Sequence, residues 1–172
     1  MENMTDLTGF RYAMTKTPWG PFMHVTDFDH VITRGVPEDL LWGTDLNLSP
    51  TFYLQDAGAR ILANIVHAQG RCAEGMGVKE FPEWKSVYIA APNLPAALLR
   101  GLARYAGVHL YSDAGDVLYA SKELLAIHTL RGGERTLRLP RAVETVYDLF
   151  GKRTIAENTD RFTVALPKTS TS

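Results

Sequence analysis

The sequence predicts an α+β chain: an incomplete α/β layer over residues 1–107, followed by a small antiparallel β-sandwich over residues 108–172. Three observations carry this. Ser86–Leu110 reads as a strand, a helix and the start of a second strand, with both helix ends marked. The texture then changes at Val108, where short alternating segments replace helical spacing. Turn residues recur between those segments at the regular spacing of a compact all-β unit.

The elements follow in chain order. Phe10–Met14 reads as a strand, and Thr17-Pro18-Trp19-Gly20-Pro21 as a loop with an inward aromatic. His30–Thr33 is expected as a short strand closed by Gly35-Val36-Pro37. Leu40–Trp42 and Thr51–Leu54 are expected to pair with one another around Ser49-Pro50. Asp56–Ile65 carries both signals: Ala57, Ala59, Ile61, Leu62 and Ile65 allow a helix, whereas Gly58 and Asn64 weaken it and Ile61–His67 also reads as a strand. Gly70–Gly77 is expected as a glycine-rich loop leading through Lys79–Lys85 into the strand Ser86–Ala91. Asn93 is the expected helix cap, and Pro95 suits the first turn, which has no use for its missing N–H. Leu98, Leu99, Leu102 and Ala106 recur at helical spacing, and Gly107 supplies the left-handed stop.

Beyond Gly107, Leu110–Ser112 and Val117–Ala120 flank a hairpin turn at Asp113-Ala114-Gly115-Asp116. Leu124–Leu130, Thr136–Leu139 (ending at Pro140), Val143–Leu149, Ile155–Glu157 and Phe162–Leu166 complete a set of seven short strands. Arg131-Gly132-Gly133-Glu134 and Gly151-Lys152 are turns between them, and the polar tail Lys168–Ser172 is expected to fray. The α/β half shows one convincing strand–helix unit where a doubly wound domain needs several, so the first part of that layer is expected to lie outside this chain.

Composition narrows the function classes. At 172 residues and 45% hydrophobic, the chain can bury a core. A net charge of −1 without a Lys/Arg run argues against nucleic acid and anionic membranes as partners. The single cysteine, Cys72, excludes an intrachain disulfide and reads as a small buried apolar residue. MENMTDLTGF lacks the basic and apolar regions of a leader, and no apolar run reaches bilayer length, so a soluble cytoplasmic protein is expected.

Chemistry-bearing motifs are sparse. Gly75-Met76-Gly77-Val78-Lys79 lacks the phosphate-loop spacing and reads as an ordinary loop. The densest polar cluster is His24, Asp27, Asp29 and His30, whose residue types suit a divalent ion but without ligand rhythm, so a solvated turn is the favoured reading. His128 sits in an apolar strand and His67 and His109 stand alone, none at metal-ligand spacing. Asp45, Asp56, Asp113 and Asp116 are the other carboxylates, and spacing alone places no pair across a sugar. Trp19, Trp42 and Trp84 have the flat faces that stack on sugar rings, although packing is the favoured reading. No catalytic, cofactor-binding or metal-binding residue is assigned, and no cofactor is expected.

SVYIAAPNLPAALLRGLARYAGVHLYSD resembles the junction late in certain bacterial glycoside hydrolases, those similar to the trimeric β-galactosidases. LLAIHTLRGGERTLRLPRAVETVYDLFGKRTIAENTDRFTVALP resembles the terminal β domain of that family, and LTGF with LWGTDLNLSPTFYLQD resembles the region before it. The likeness runs over residues 5–167. In that family a catalytic TIM barrel precedes an α/β trimerisation domain resembling class I glutamine amidotransferases, and a small β domain follows. The resemblance implies that residues 1–107 are the end of the trimerisation domain and residues 108–172 the β domain. The family's catalytic glutamates lie in the barrel, so no role passes to Glu38, Glu74, Glu80, Glu83 or Glu123. The resemblance thus implies a non-catalytic assembly and accessory portion of a glycoside hydrolase. Its expected partners are further copies of the chain or a catalytic barrel encoded upstream. The alternatives are a free-standing carbohydrate-binding β-sandwich using the tryptophans, or a small enzyme built on His24, Asp27, Asp29 and His30 or on His128.

Overall fold

The computed structural model describes residues 2–66 and 72–171. The chain divides into two compact units, Met1–Ala106 and Gly107–Ser172. Strand dominates both, and among the described residues every strand pairing is antiparallel.

The first unit opens with helix α1 (Glu2–Thr8), which the sequence reading did not anticipate and which Gly9 ends at φ 75°. β1 (Tyr12–Thr15) and β2 (Phe22–Val25) follow, and then a long turn region over residues 26–40. His30–Thr33 is a turn in that region, not a strand: the His30 carbonyl accepts the N–H groups of Thr33 and Arg34. β3 (Leu41–Gly43) and β4 (Thr51–Leu54) do not pair with each other; β3 joins β2 and β4 joins β1. β5 (Arg60–Val66) resolves the ambiguous stretch as strand, and β6 (Cys72–Glu80) and β7 (Lys85–Ile89) complete a sheet of order β3-β2-β5-β6-β7.

The expected glycine-rich loop is therefore mostly strand, with Gly70 and Arg71 outside the described residues, as is His67. Its glycines answer to packing. A Cβ on Gly75 would meet the Met23 sulfur at 2.7 Å, and one on Gly77 would meet Leu54. Cys72 lies exposed on β6, contrary to the buried position expected of it.

The doubly wound layer gives way to this antiparallel sheet. A parallel crossover needs a dozen or more residues, and β6 reaches β7 through only residues 81–84. The marked helix does form, as α2 (Ala96–Tyr105). Its N-cap is Pro95, which makes no side-chain cap bond; Asn93 instead takes φ 60° and donates its amide to the Gly43 carbonyl at 3.0 Å. Gly107 takes φ 74° beyond the C-cap, as its position predicts. Leu98 is fully buried among Met23, Ile32, Leu62 and Met76, and a side chain of that size contributes about 2 kcal/mol by burial.

The second unit begins without the strand expected at Leu110–Ser112. β8 (Val117–Ala120) and β9 (Leu125–Thr129) pair through the turn at residues 121–124, so the hairpin falls after β8, not at Asp113–Asp116. Two expected strand pairs fuse into long strands, β10 (Gly133–Asp148) and β11 (Arg153–Leu166), which form a ribbon. Pro140 cannot donate to the ladder, and the register slips between Arg138 and Val143, so the strand passes it as a bulge instead of ending. The Asp148 carboxylate accepts Phe150 N–H and Gly151 N–H and turns the ribbon. The tail does not simply fray: β12 (Ser170–Thr171) pairs with β9. The core here is small: Ile127, Leu137, Phe162 and Leu166.

Among the described residues no helix is long and apolar enough to cross a membrane.

Candidate functional site

The most elaborate polar arrangement in the first unit surrounds Lys79, which the sequence placed at the end of an ordinary glycine-containing loop. Alternation along β6 carries its side chain toward the turn before β5. Its ammonium donates to the Gly9 carbonyl at 2.8 Å and to Asp56 Oδ2 at 3.0 Å. Asp56 also accepts Arg11 N–H and Gly58 N–H, each at 2.9 Å. Burial alone would push this carboxyl up; the backbone donors and Lys79 outweigh it and hold the group below its ordinary value. Both oxygens are committed, so the pair clamps α1 and β1 onto the sheet and offers no free base.

Beside it, Phe81 and Trp84 stack at 4.2 Å across the β6–β7 turn, closed by Phe81 N–H to the Trp84 carbonyl. Trp84 is 44% exposed, whereas Trp42 is 5% exposed in the core and Trp19 is half-buried beside Leu48. Of the three tryptophans weighed as sugar platforms, Trp84 alone is exposed, and Phe81 covers one face of its ring. Tyr88, packed against Tyr12 at 5.0 Å, has its hydroxyl pushed up to about 12 by burial.

The cluster His24, Asp27, Asp29 and His30 does not converge. His24 contacts the Glu38 carbonyl through Nε2 at 3.0 Å. Asp27 is paired with Arg60 at 2.7 Å, which together with its other contacts holds its carboxyl below the ordinary value. Asp27 also takes Asp29 N–H at 3.0 Å, forming a local turn. His30 turns inward, its ring edge-on to Tyr105 at 5.0 Å. Among the described residues no group of three metal-ligating side chains comes together.

In the second unit Asp116 is salt-bridged to Arg135, which also donates to Thr129 Oγ1 at 3.1 Å; the guanidinium holds the Asp116 carboxyl below its ordinary value. Asp113 pairs with Arg138 at 3.1 Å, and His109 Nε2 meets the Arg138 carbonyl at 2.8 Å. A recess of about 160 Å³ lies among Ser112, Asp113, Glu134, Arg135 and Arg138, but both arginines are already neutralised there. His128 lies on β9, opposite Val117 of β8. Asp45 is exposed, with no opposing carboxylate among the described contacts.

What each unit does present is apolar surface. On β2 and β3 the outward positions include Phe22 and Leu41, the latter 54% exposed. In the second unit Tyr119 stands out from β8, and Tyr147, Leu149 and Phe150 crowd the end of the ribbon, Phe150 being 76% exposed. Surfaces of this kind suit protein contact better than bond chemistry.

No protein-family model matches the chain, and no curated protein sequence matches it. Solved structures do. The fold is similar to part of the β-galactosidase from Rahnella sp. R3, with a TM-score of 0.60 at 11% identity, over 98% of this chain and 24% of that one. It is similar to part of the β-galactosidase from Bacillus circulans sp. alkalophilus, with a TM-score of 0.58 at 15% identity, over 98% of this chain and 24% of that one. The chain spans about a quarter of the length of these structures, and the likeness is one of fold.

Proposed function

We propose that this chain is a non-catalytic C-terminal portion of a glycoside hydrolase resembling the β-galactosidases, where it serves assembly and support. The observation that carries the reading is the superposition of 98% of the chain on about a quarter of two β-galactosidase chains. Two features of the site agree with it. Asp27, Asp56, Asp113 and Asp116 are each held by a basic partner, so none stands as a free acid or base. The exposed apolar residues at Phe22, Leu41 and the ribbon end offer surface to a neighbouring subunit or to a catalytic barrel. On this reading residues 1–107 are the end of the trimerisation domain and residues 108–172 the terminal β domain.

The test is light scattering on the purified 19.1 kDa chain, combined with a nitrophenyl-galactoside assay. The expected result is a mass that rises above the monomer with concentration, and no hydrolysis. A monomer at all concentrations, or hydrolysis that a substitution in this chain abolishes, overturns the reading.

A further inference from the structure

α2 rests on the turn at residues 29–34 at two points one helical turn apart. Gly101 meets the Ile32 carbonyl so closely that a Cβ has no room. Tyr105, four residues on and therefore on the same helix face, meets the edge of His30 at 5.0 Å. Both contacts depend on the shape of one short turn. That shape depends on His30, which is 9% exposed: its carbonyl accepts three donors, from Thr33 N–H, Thr33 Oγ1 and Arg34 N–H, and its Nδ1 lone pair accepts Ile32 N–H at 3.3 Å. The last bond exists only while Nδ1 carries no proton, and it sits on the residue whose carbonyl touches Gly101.

We propose that this turn is a proton-operated latch, in which neutral His30 holds α2 against the sheet and protonation of its ring releases the helix and uncovers the apolar face under Leu98. The inference does not rest on the proposed function. A proton on Nδ1 turns the acceptor of Ile32 N–H into a second donor facing it, and leaves a buried N–H without its partner. The charges around His30 pull both ways: the Asp27 and Glu80 carboxylates favour an imidazolium and Arg60 and Arg34 oppose it, and burial, the largest effect, opposes it too. On its own turn Arg34 is cationic and Asp27 is taken by Arg60 of β5; from β6, Glu80 already accepts the Tyr105 hydroxyl at 2.8 Å, and from β7, Lys85 lies over the Tyr105 ring at 4.4 Å. Burial, with Arg60 second, places His30 below its ordinary value in the closed form. The released form therefore binds the proton more readily. The latch holds above the ordinary imidazole value, about pH 6.5, and opening increases below it by at most about tenfold per pH unit, until His30 titrates in the closed form as well.

Hydrogen exchange on the full chain between pH 7.5 and 5, corrected for intrinsic exchange, reads the opening directly. Amides of residues 98–105 are expected to lose protection in that window. His30→Gln, which retains an acceptor but cannot titrate, is expected to make their protection independent of pH, while His24→Gln leaves the pH dependence in place. Protection that does not change with pH in the native chain, or a dependence that survives His30→Gln, overturns the latch. Should His30→Gln not fold, an NMR titration of the native chain decides: α2 amides of residues 98–105 whose shifts follow the His30 ring support the latch, and amides that stay unmoved while the ring titrates overturn it.

Discussion

The two units solve the same packing problem with very different reserves. Among the described residues the first encloses twelve buried apolar residues in its main cluster, from Met23 to Leu98, under a five-stranded sheet, a helix and a long turn. The second encloses four, and much of its order comes from the backbone ladder of one long ribbon. A core that small contributes only about 3–5 kcal/mol, so its margin is thin. The second unit also leaves Tyr147, Leu149 and Phe150 in solvent at the ribbon end. The contrast teaches that burial holds the first unit together, whereas the second depends on each of its few core side chains.

Phe162→Ala puts that contrast to its severest test. Phe162 is the largest of the four core residues, and truncating such a ring costs about 3–5 kcal/mol, comparable to what the whole small core supplies. The expected outcome is loss of the second unit's calorimetric transition and of amide protection along β10 and β11, with the first unit still melting as before. If both transitions vanish together, the two units do not fold independently and the comparison fails.

Lys79→Met tests the better-filled unit. The substitution keeps the aliphatic stem and removes the ammonium, leaving Asp56, with a side chain 5% exposed, to its two backbone donors. Breaking a fully buried pair costs about 3–5 kcal/mol; with the Lys79 side chain 21% exposed, about 2 kcal/mol is expected here. Urea unfolding should show a lower midpoint and an unchanged slope, because the remaining core still closes. A drop as complete as that of Phe162→Ala would mean that the clamp, not the twelve-residue core, sustains the first unit.

Legibility differed between the units for physical reasons. The α2 segment was readable because its signals are local: apolar spacing and Gly107 act within one helix. The layer around it was misread because strand direction follows from connection length and pairing partner, and the partners of β4 and β2 lie far off in sequence. Gly75 and Gly77 look like loop residues until Met23 and Leu54 are seen to occupy the space a Cβ needs. Asn93 looks like a cap until its amide is seen to serve Gly43. In the second unit Pro140 marked a strand end, which is the local rule, but the partner strand accommodates it in a bulge. His24, Asp27, Asp29 and His30 read as a cluster in the sequence, and Asp56 and Asp116 as separate carboxylates; the pairing of Asp27, Asp56 and Asp116 with Arg60, Lys79 and Arg135 was not visible there. Lys79 itself was visible only as the last residue of Gly75-Met76-Gly77-Val78-Lys79, where nothing local points to Asp56.

Asp116→Asn is the mildest perturbation and sharpens the contrast by pH. The amide keeps the shape of the carboxylate and removes its charge, while Arg135 retains Thr129 Oγ1. At neutral pH the second unit should melt a few degrees lower, a smaller loss than either substitution above. The acid limb carries the diagnostic. Arg135 lowers the Asp116 value in the folded state, so the unfolded chain binds that proton more readily. The stabilisation is complete above the ordinary carboxylate value, about pH 4, and is lost as the pH falls below it toward the folded value. With Asn in place, the second unit should lose part of its stability dependence in that window. The first unit should keep its own, because Asp27 and Asp56 are likewise held below their ordinary values by Arg60 and by Lys79 with its backbone donors. Melting curves from pH 5 to 2 separate the two. An unchanged acid limb in the second unit would mean that Asp116 pairs as tightly in the unfolded chain as in the folded one, and that the ribbon, not the ion pair, fixes the acid response of the smaller core.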